Sequence, residues 1–176
     1  MEKTFKIPEG VTVDINNFRI TVNGKKGKIE KDFTNPVFTN KIKIEKNGNE
    51  VKVSTTSDKR KVKAVVGTMI AYMKAMSAGV TEGYTYTMKI VYMHFPFTVK
   101  VSGKEVTVAN FLGGKAVRKA KIVGETKVDI KGEDIFVSGI NREEVGQTCG
   151  NLERATKIKN RDRRVFQDGI FLFTKG

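Results

Sequence analysis

The clearest early signal is a stretch in which apolar and polar residues alternate, Phe18-Arg-Ile-Thr-Val22. Successive side chains of a strand point to opposite faces, so a period of two predicts a half-buried strand. This one runs into Asn23-Gly24, a strong hairpin signal, and on into Lys28-Ile-Glu-Lys-Asp-Phe33. The same order recurs in the second half of the chain. Phe97-Thr-Val-Lys-Val101 runs into Ser102-Gly103, a weaker turn signal, and then Glu105-Val-Thr-Val-Ala-Asn-Phe111. A further strand is expected in each half, at Asn49-Glu-Val-Lys-Val-Ser54 and at Asp134-Ile-Phe-Val-Ser138.

Each half then changes period. Val62, Val65, Val66, Met69, Ile70, Met73 and Met76 recur at three- and four-residue steps, which predicts a helix with one apolar face. Thr56-Ser57-Asp58 offers capping side chains before it, and Gly79 suggests its end. In the second half Asn141 is a candidate cap with Glu144 three residues on, and Val145, Cys149, Leu152 and Ala155 share a face. Residues 79–83 interrupt both periods and divide the chain into 1–80 and 81–176. The expectation is an α+β fold of two tandem similar domains, each a small, mostly antiparallel sheet packed against one main helix. Domains of this size bury only modest cores.

Composition narrows the function. No window approaches the roughly 18 consecutive apolar residues of a membrane span, and the N-terminus lacks a signal-peptide layout. Cys149 is the single cysteine, so neither an internal disulfide nor a cysteine metal cluster is possible. Thirty-three Lys and Arg against nineteen Asp and Glu give a net charge of +14, which favours a polyanionic partner. Residues 1–80 carry 16 basic and 8 acidic residues, and 81–176 carry 17 and 11. Neither half is an acidic counterweight.

A catalytic centre is not expected. His94, the only histidine, lies in the apolar and aromatic stretch Tyr92-Met-His-Phe-Pro-Phe97 and reads as a partly buried structural residue. Cys149 falls on the apolar helix face and reads as an inert thiol. Gly24-Lys-Lys-Gly27 and Gly113-Gly-Lys115 do not fit the phosphate-loop spacing, and the first reads better as a hairpin turn; Glu133-Asp134 and Glu143-Glu144 suit turn and helix-start positions. No metal and no cofactor is expected.

The densest charge lies in Arg154-Ala-Thr-Lys-Ile-Lys-Asn-Arg-Asp-Arg-Arg164, with six basic residues among eleven and one acid, Asp162. If the segment is extended, Lys157, Lys159, Arg161 and Arg163 alternate onto one side and form a row of cations for a phosphate backbone. Secondary patches are Lys115 with Arg118, Lys119 and Lys121; Lys25, Lys26, Lys28 and Lys31; and Lys59, Arg60, Lys61 and Lys63. No helix-turn-helix glycine turn or zinc spacing points to duplex DNA, and no aromatic doublet of an RRM type is present. Structured RNA, read by shape and backbone, is the expected partner. A structured-RNA or tRNA-binding module outside any fixed assembly and a peripheral membrane or acidic-protein adaptor are the competing readings.

Several segments resemble the universal large-subunit ribosomal protein six family in its archaeal and eukaryotic form. They are Lys25-Lys-Gly-Lys-Ile-Glu-Lys-Asp-Phe33, Gly79-Val-Thr-Glu-Gly-Tyr-Thr-Tyr-Thr-Met88, Val91-Tyr-Met-His-Phe-Pro96, Asn110-Phe-Leu-Gly113 and Thr156-Lys-Ile-Lys-Asn-Arg-Asp-Arg-Arg-Val-Phe-Gln-Asp-Gly-Ile170. The resemblance implies a cytoplasmic protein of the large ribosomal subunit. Its second domain would bind large-subunit rRNA near the sarcin–ricin loop and the base of the factor-binding stalk, among neighbouring ribosomal proteins. The residues expected to face RNA are Arg154, Lys157, Lys159, Asn160, Arg161, Arg163 and Arg164, with Lys115, Arg118 and Lys119 beside them. Phe166 and Gly169 would fix the segment's shape. The connections around 46–49 and 124–133 are short and no long tail follows Gly176, so contacts that longer members make there are not carried over.

Overall fold

In the computed structural model, which describes residues 1–35 and 38–176, the alternating stretches form antiparallel ladders. Strands β1 (Glu2–Lys6), β2 (Thr12–Asn16), β3 (Arg19–Gly24), β4 (Gly27–Asp32), β5 (Ile42–Asn47) and β6 (Glu50–Thr55) precede helix α1 (Arg60–Thr81). They make two three-stranded sheets, β2-β3-β4 and β1-β6-β5, and α1 packs on β1, β3, β4 and β6. The chain continues through β7 (Tyr84–Val91), β8 (Thr98–Ser102), β9 (Glu105–Ala109), β10 (Arg118–Lys121), β11 (Lys127–Lys131) and β12 (Asp134–Gly139) to helix α2 (Arg142–Ala155) and strand β13 (Gly169–Lys175). Here the sheets are β10-β9-β8 and β11-β12-β7-β13, and α2 packs on β7, β10, β12 and β13.

Contacts divide the chain into two units, Met1–Gly83 and Tyr84–Gly176, and the α+β topology is repeated between them. Sheet β1-β6-β5 corresponds to β7-β12-β11, β2-β3-β4 to β8-β9-β10, and α1 to α2. Only β13 has no counterpart: it lies against β7, with Gly169 opposite Val91 and Phe171 opposite Lys89.

The apolar stripe of α1 is buried in its own unit, with Val66 and Met73 at 0% exposure; each such side chain contributes roughly 1.5–3 kcal/mol. By length and composition α1 would suffice to cross a membrane, contrary to the expectation that no segment comes close, but its apolar face is core. Two local expectations are also corrected. The capping residue of α1 is Lys59, with no side-chain cap, not Thr56, Ser57 or Asp58; Asp58 instead accepts from Lys63 Nζ at 2.9 Å. The helix does not stop at Gly79 but runs to Thr81, and Gly83, at φ +74°, is the residue that leaves it left-handed. The first hairpin turns at Lys25-Lys26, with Gly24 paired to Gly27, as the Gly24-Lys-Lys-Gly27 reading expected.

The hairpin and the end of α1 are coupled. A Cβ on Gly24 would stand 2.6 Å from Val80 Cγ2, so the hairpin tip lies directly against the end of α1. There Lys26 N donates to Val80 O at 2.9 Å and Lys26 Nζ donates to Glu82 O. These donors satisfy carbonyls that a helix otherwise leaves open, so Gly79 need not end it. In α2 the cap is as expected. Asn141 Oδ1 accepts from Glu143 N at 3.0 Å and its Nδ2 donates to Glu144 Oε1 at 3.1 Å.

Candidate nucleic-acid interface

The segment between α2 and β13 is fixed at both ends. Thr156, 3% exposed, accepts from Ile170 N at 3.0 Å, and Glu153 Oε1 accepts from Leu172 N at 3.1 Å. Two N–H groups of the sheet's edge strand are thereby capped by groups at the end of α2. Between these anchors, Lys157 and Lys159 are exposed on either side of buried Ile158, so the alternation expected from the sequence holds over these three residues. It then fails. Asn160 takes φ +59°, a left-handed bend that asparagine tolerates, and the four cations do not continue as one straight row.

Beyond the bend a short turn forms on Asp162. Its carboxylate accepts from Arg164 N at 2.9 Å and pairs with Arg164 Nη2 at 2.9 Å, while its carbonyl accepts from Val165 N and Phe166 N at 3.2 and 2.9 Å. The Arg164 guanidinium and then the backbone N–H hold the Asp162 carboxyl below its ordinary range. Arg161 lies over the Phe166 ring at 4.7 Å, and that ring stacks on His94 with centroids 4.6 Å apart.

Under this stack is a buried carboxylate. Asp168, 1% exposed, accepts from Met93 N at 3.0 Å and His94 N at 3.2 Å, and lies 3.1 Å from His94 Nδ1. Burial alone would raise its pKa, but the hydrogen bonds from His94 and Met93 outweigh it and hold the group ionised below its usual value. An ionised carboxylate only accepts, so His94 Nδ1 carries a proton toward it. His94 is thus hydrogen-bonded as its surroundings suggested, but it is exposed and not partly buried. Cys149 is buried, and burial pushes its thiol up to about 11.

The second patch adjoins the first. Arg118 Nη1 donates to Ala155 O at 3.0 Å and Lys157 O at 3.3 Å, with its guanidinium 4.3 Å from the centre of the Phe111 ring. It caps the C-terminal end of α2, where a cation also suits the helix dipole. Lys119 pairs with Glu105 at 3.4 Å. A groove of about 350 Å³ brings Lys119 and Lys121 alongside Arg154, and Lys115 is exposed on the loop before β10. Arg154, Lys157, Lys159 and Arg163 have neither an ion pair nor a side-chain hydrogen bond among the described residues.

Sequence reasoning therefore found the cations but not their framework. The roles of Thr156, Glu153 and Asp168 carried no local signal, since their partners lie 14 or more positions away. Among the described residues, no cluster of three His, Cys, Asp or Glu residues is placed to hold a metal ion.

These features define a duplicated, strongly basic α+β protein with an ordered cationic edge on its second unit. The family model described as Ribosomal protein L6 matches residues 7–83 and 95–169. The large ribosomal subunit protein uL6 of Methanosphaera stadtmanae is 52% identical over 170 residues, spanning 96% of this chain and 90% of that one. Those of Methanobrevibacter smithii and Methanocella arvoryzae are 48% and 47% identical, spanning 99% and 98% of this chain and 96% of each relative. The chain belongs to the Ribosomal protein L6 family.

Proposed function

We propose that the chain is a non-catalytic constituent of the large ribosomal subunit, in the cytoplasm. Its second domain, residues 81–176, binds large-subunit rRNA near the sarcin–ricin loop and the base of the factor-binding stalk, with ribosomal proteins as its other neighbours. The supporting observation is a group of four cations unpaired among the described residues: Arg154 on the last turn of α2, and Lys157, Lys159 and Arg163 on the segment after it, whose ends are pinned by buried Thr156 and Asp168. Arg161 and Arg164 extend the same surface from positions already braced by Phe166 and Asp162. Asn160 supplies the bend, Arg118 and Lys119 border the surface at the end of α2, and Lys115, exposed on the loop before β10, is assigned to the same RNA-facing set. Structured RNA suits this edge better than duplex DNA or a membrane, because no recognition helix or exposed apolar helix face accompanies the charge.

Four phosphate contacts predict a slope near −3.6 in log affinity against log salt, or about 150-fold weaker binding at 200 than at 50 mM salt. The test is a salt titration of binding to large-subunit rRNA with Lys157→Glu, Lys159→Glu and Arg163→Glu combined. The triple variant should keep the wild-type thermal midpoint, since exposed unpaired charges contribute little to stability, and lose most of the slope. A slope unchanged by the triple variant refutes the assignment.

A further inference from the structure

Backbone contact leaves one feature of this edge unexplained. A groove of about 890 Å³ runs between the end of α2, the segment 157–168 and β13. Four cations line it, Arg154, Lys157, Arg163 and Arg164, but so do the apolar side chains of Val91, Ile158, Phe166 and Phe171. A surface that reads only phosphates needs no apolar floor. Val91 and Phe171 are 37% and 43% exposed in it.

The ring of Phe171 is bent back along its strand: a Cβ on Gly169 would stand 3.0 Å from Phe171 Cζ. Gly169 is therefore a glycine to make room for the ring, since its φ is not in the left-handed range. The two lining carboxylates are already engaged, Glu153 by Leu172 N and Asp168 by Met93 and His94. Neither is available to draw a basic ligand, and the groove presents net positive charge around an aromatic floor.

A nucleotide joins a flat, stackable body to negative charge on both sides. In an RNA helix the bases are stacked inward, whereas an unpaired nucleotide can be splayed out to stack on an aromatic side chain. The volume lies within the range of pockets that enclose small ligands, roughly 300–1,000 Å³. We propose that this groove takes one unpaired, looped-out nucleotide of the bound RNA. Its base lies on Phe171 beside Val91 and Ile158, and its flanking phosphates meet Arg154, Lys157 and Arg163. The inference rests on the RNA-binding reading above and adds a base contact to it.

The experiment probes deproteinised large-subunit rRNA from an archaeal relative with two chemistries, hydroxyl radicals for the backbone and base-specific alkylation for unpaired bases. The full chain is expected to protect a backbone region and, within it, an unpaired base. Phe171→Ala should abolish that base protection and weaken binding about tenfold with the salt slope unchanged, because no phosphate contact is removed. Phe171→Trp, which keeps a stackable ring, should restore both; equal thermal midpoints for the three proteins exclude a folding defect. Backbone protection without a protected base, or base protection that survives Phe171→Ala, overturns the inference alone. Absence of backbone protection overturns the RNA reading and this inference with it. Saturable binding of a glutamate-rich peptide, lost in Phe171→Ala, with no base protected, assigns the groove to an acidic protein partner and also overturns it.

Discussion

Removing the Asp168 carboxylate tests whether the cationic segment is built from the inside. Asp168→Ala leaves the N–H groups of Met93 and His94 without their acceptor, and His94 Nδ1 without its partner. A hydrogen bond to a charged group contributes roughly 1.5–3 kcal/mol, and a buried donor left unpaired costs about 1–3 kcal/mol. Even with water reaching one of the three donors, the loss should be about 3 kcal/mol. For a unit of this size, 1 kcal/mol moves the melting midpoint by roughly 4–8 °C, so the second unit should melt on the order of 15 °C lower. Asp168→Asn keeps the shape and one acceptor oxygen and should lose about half as much.

The two variants also separate by pH. Folding lowers the Asp168 pKa from its ordinary 3.8, so the ionised carboxylate stabilises the fold in full above the unfolded value. That contribution is lost as pH falls below 3.8 toward the folded value. The gap in melting midpoint between wild type and Asp168→Asn should therefore be constant from pH 6 to about pH 5 and close toward pH 3. Circular dichroism gives the midpoints, and hydrogen exchange at the Met93 and His94 amides reports the local loss. If Asp168→Ala melts within about 5 °C of wild type and those amides keep their protection, the buried carboxylate is not what holds this loop.

Two further tests address packing elsewhere. Gly124→Ala combines a left-handed backbone, φ +61°, with a Cβ that would stand 2.0 Å from Glu144 Oε2, itself fixed by Asn141 and the Glu125 N–H. Gly132→Ala has the same φ with nothing within 4 Å; it should lose only the backbone share of about 1–2 kcal/mol, and Gly124→Ala measurably more by thermal melting. Cys149, with its thiol pushed up to about 11 by burial and secondarily by Glu153, should react with a disulfide reagent at pH 8 at least about a hundredfold more slowly in the native protein than in urea. Equal rates would place it outside the core.

What the sequence disclosed follows the range of the interactions involved. The helices and central strands were legible because burial on one face writes a period into the chain, as at Val62 to Met76 or Phe97 to Val101. Strands β1, β2, β5, β10, β11 and β13 bury only one or two residues each and write no clear period, whereas β7 alternates well, with Tyr86, Met88 and Ile90 inward. The hairpin turn was legible too, because Gly24-Lys-Lys-Gly27 sits between two alternating stretches, while its packing against Val80, distant in sequence, was not. In the candidate site the charges were evident, while their arrangement was not. An alternating pattern implies one row only if the backbone stays extended, and nothing in the residue order shows that Asn160 leaves that conformation.

The duplication explains why the cationic edge is confined to the second unit. After α1, only Glu82 and Gly83 separate the helix from β7, so the first unit has no counterpart of the long connection that follows α2. After α2 the chain must return along the helix end to add β13 at the open edge of β7, and residues 156–168 are that return. An irregular connection of this length would ordinarily be ordered only on binding, at about 1–2 kcal/mol of backbone entropy per residue. Here Thr156, Ile158 and Asp168 are buried and Phe166 is stacked on His94, so much of that ordering is completed when the unit folds. Cations held in place before RNA arrives lose less freedom on contact than the same charges on a loose tail. The exposed strand that the return creates is itself protected, because Thr156 and Glu153 cap the Ile170 and Leu172 N–H groups. One added strand thus accounts for the site's position, its rigidity and the groove along its side.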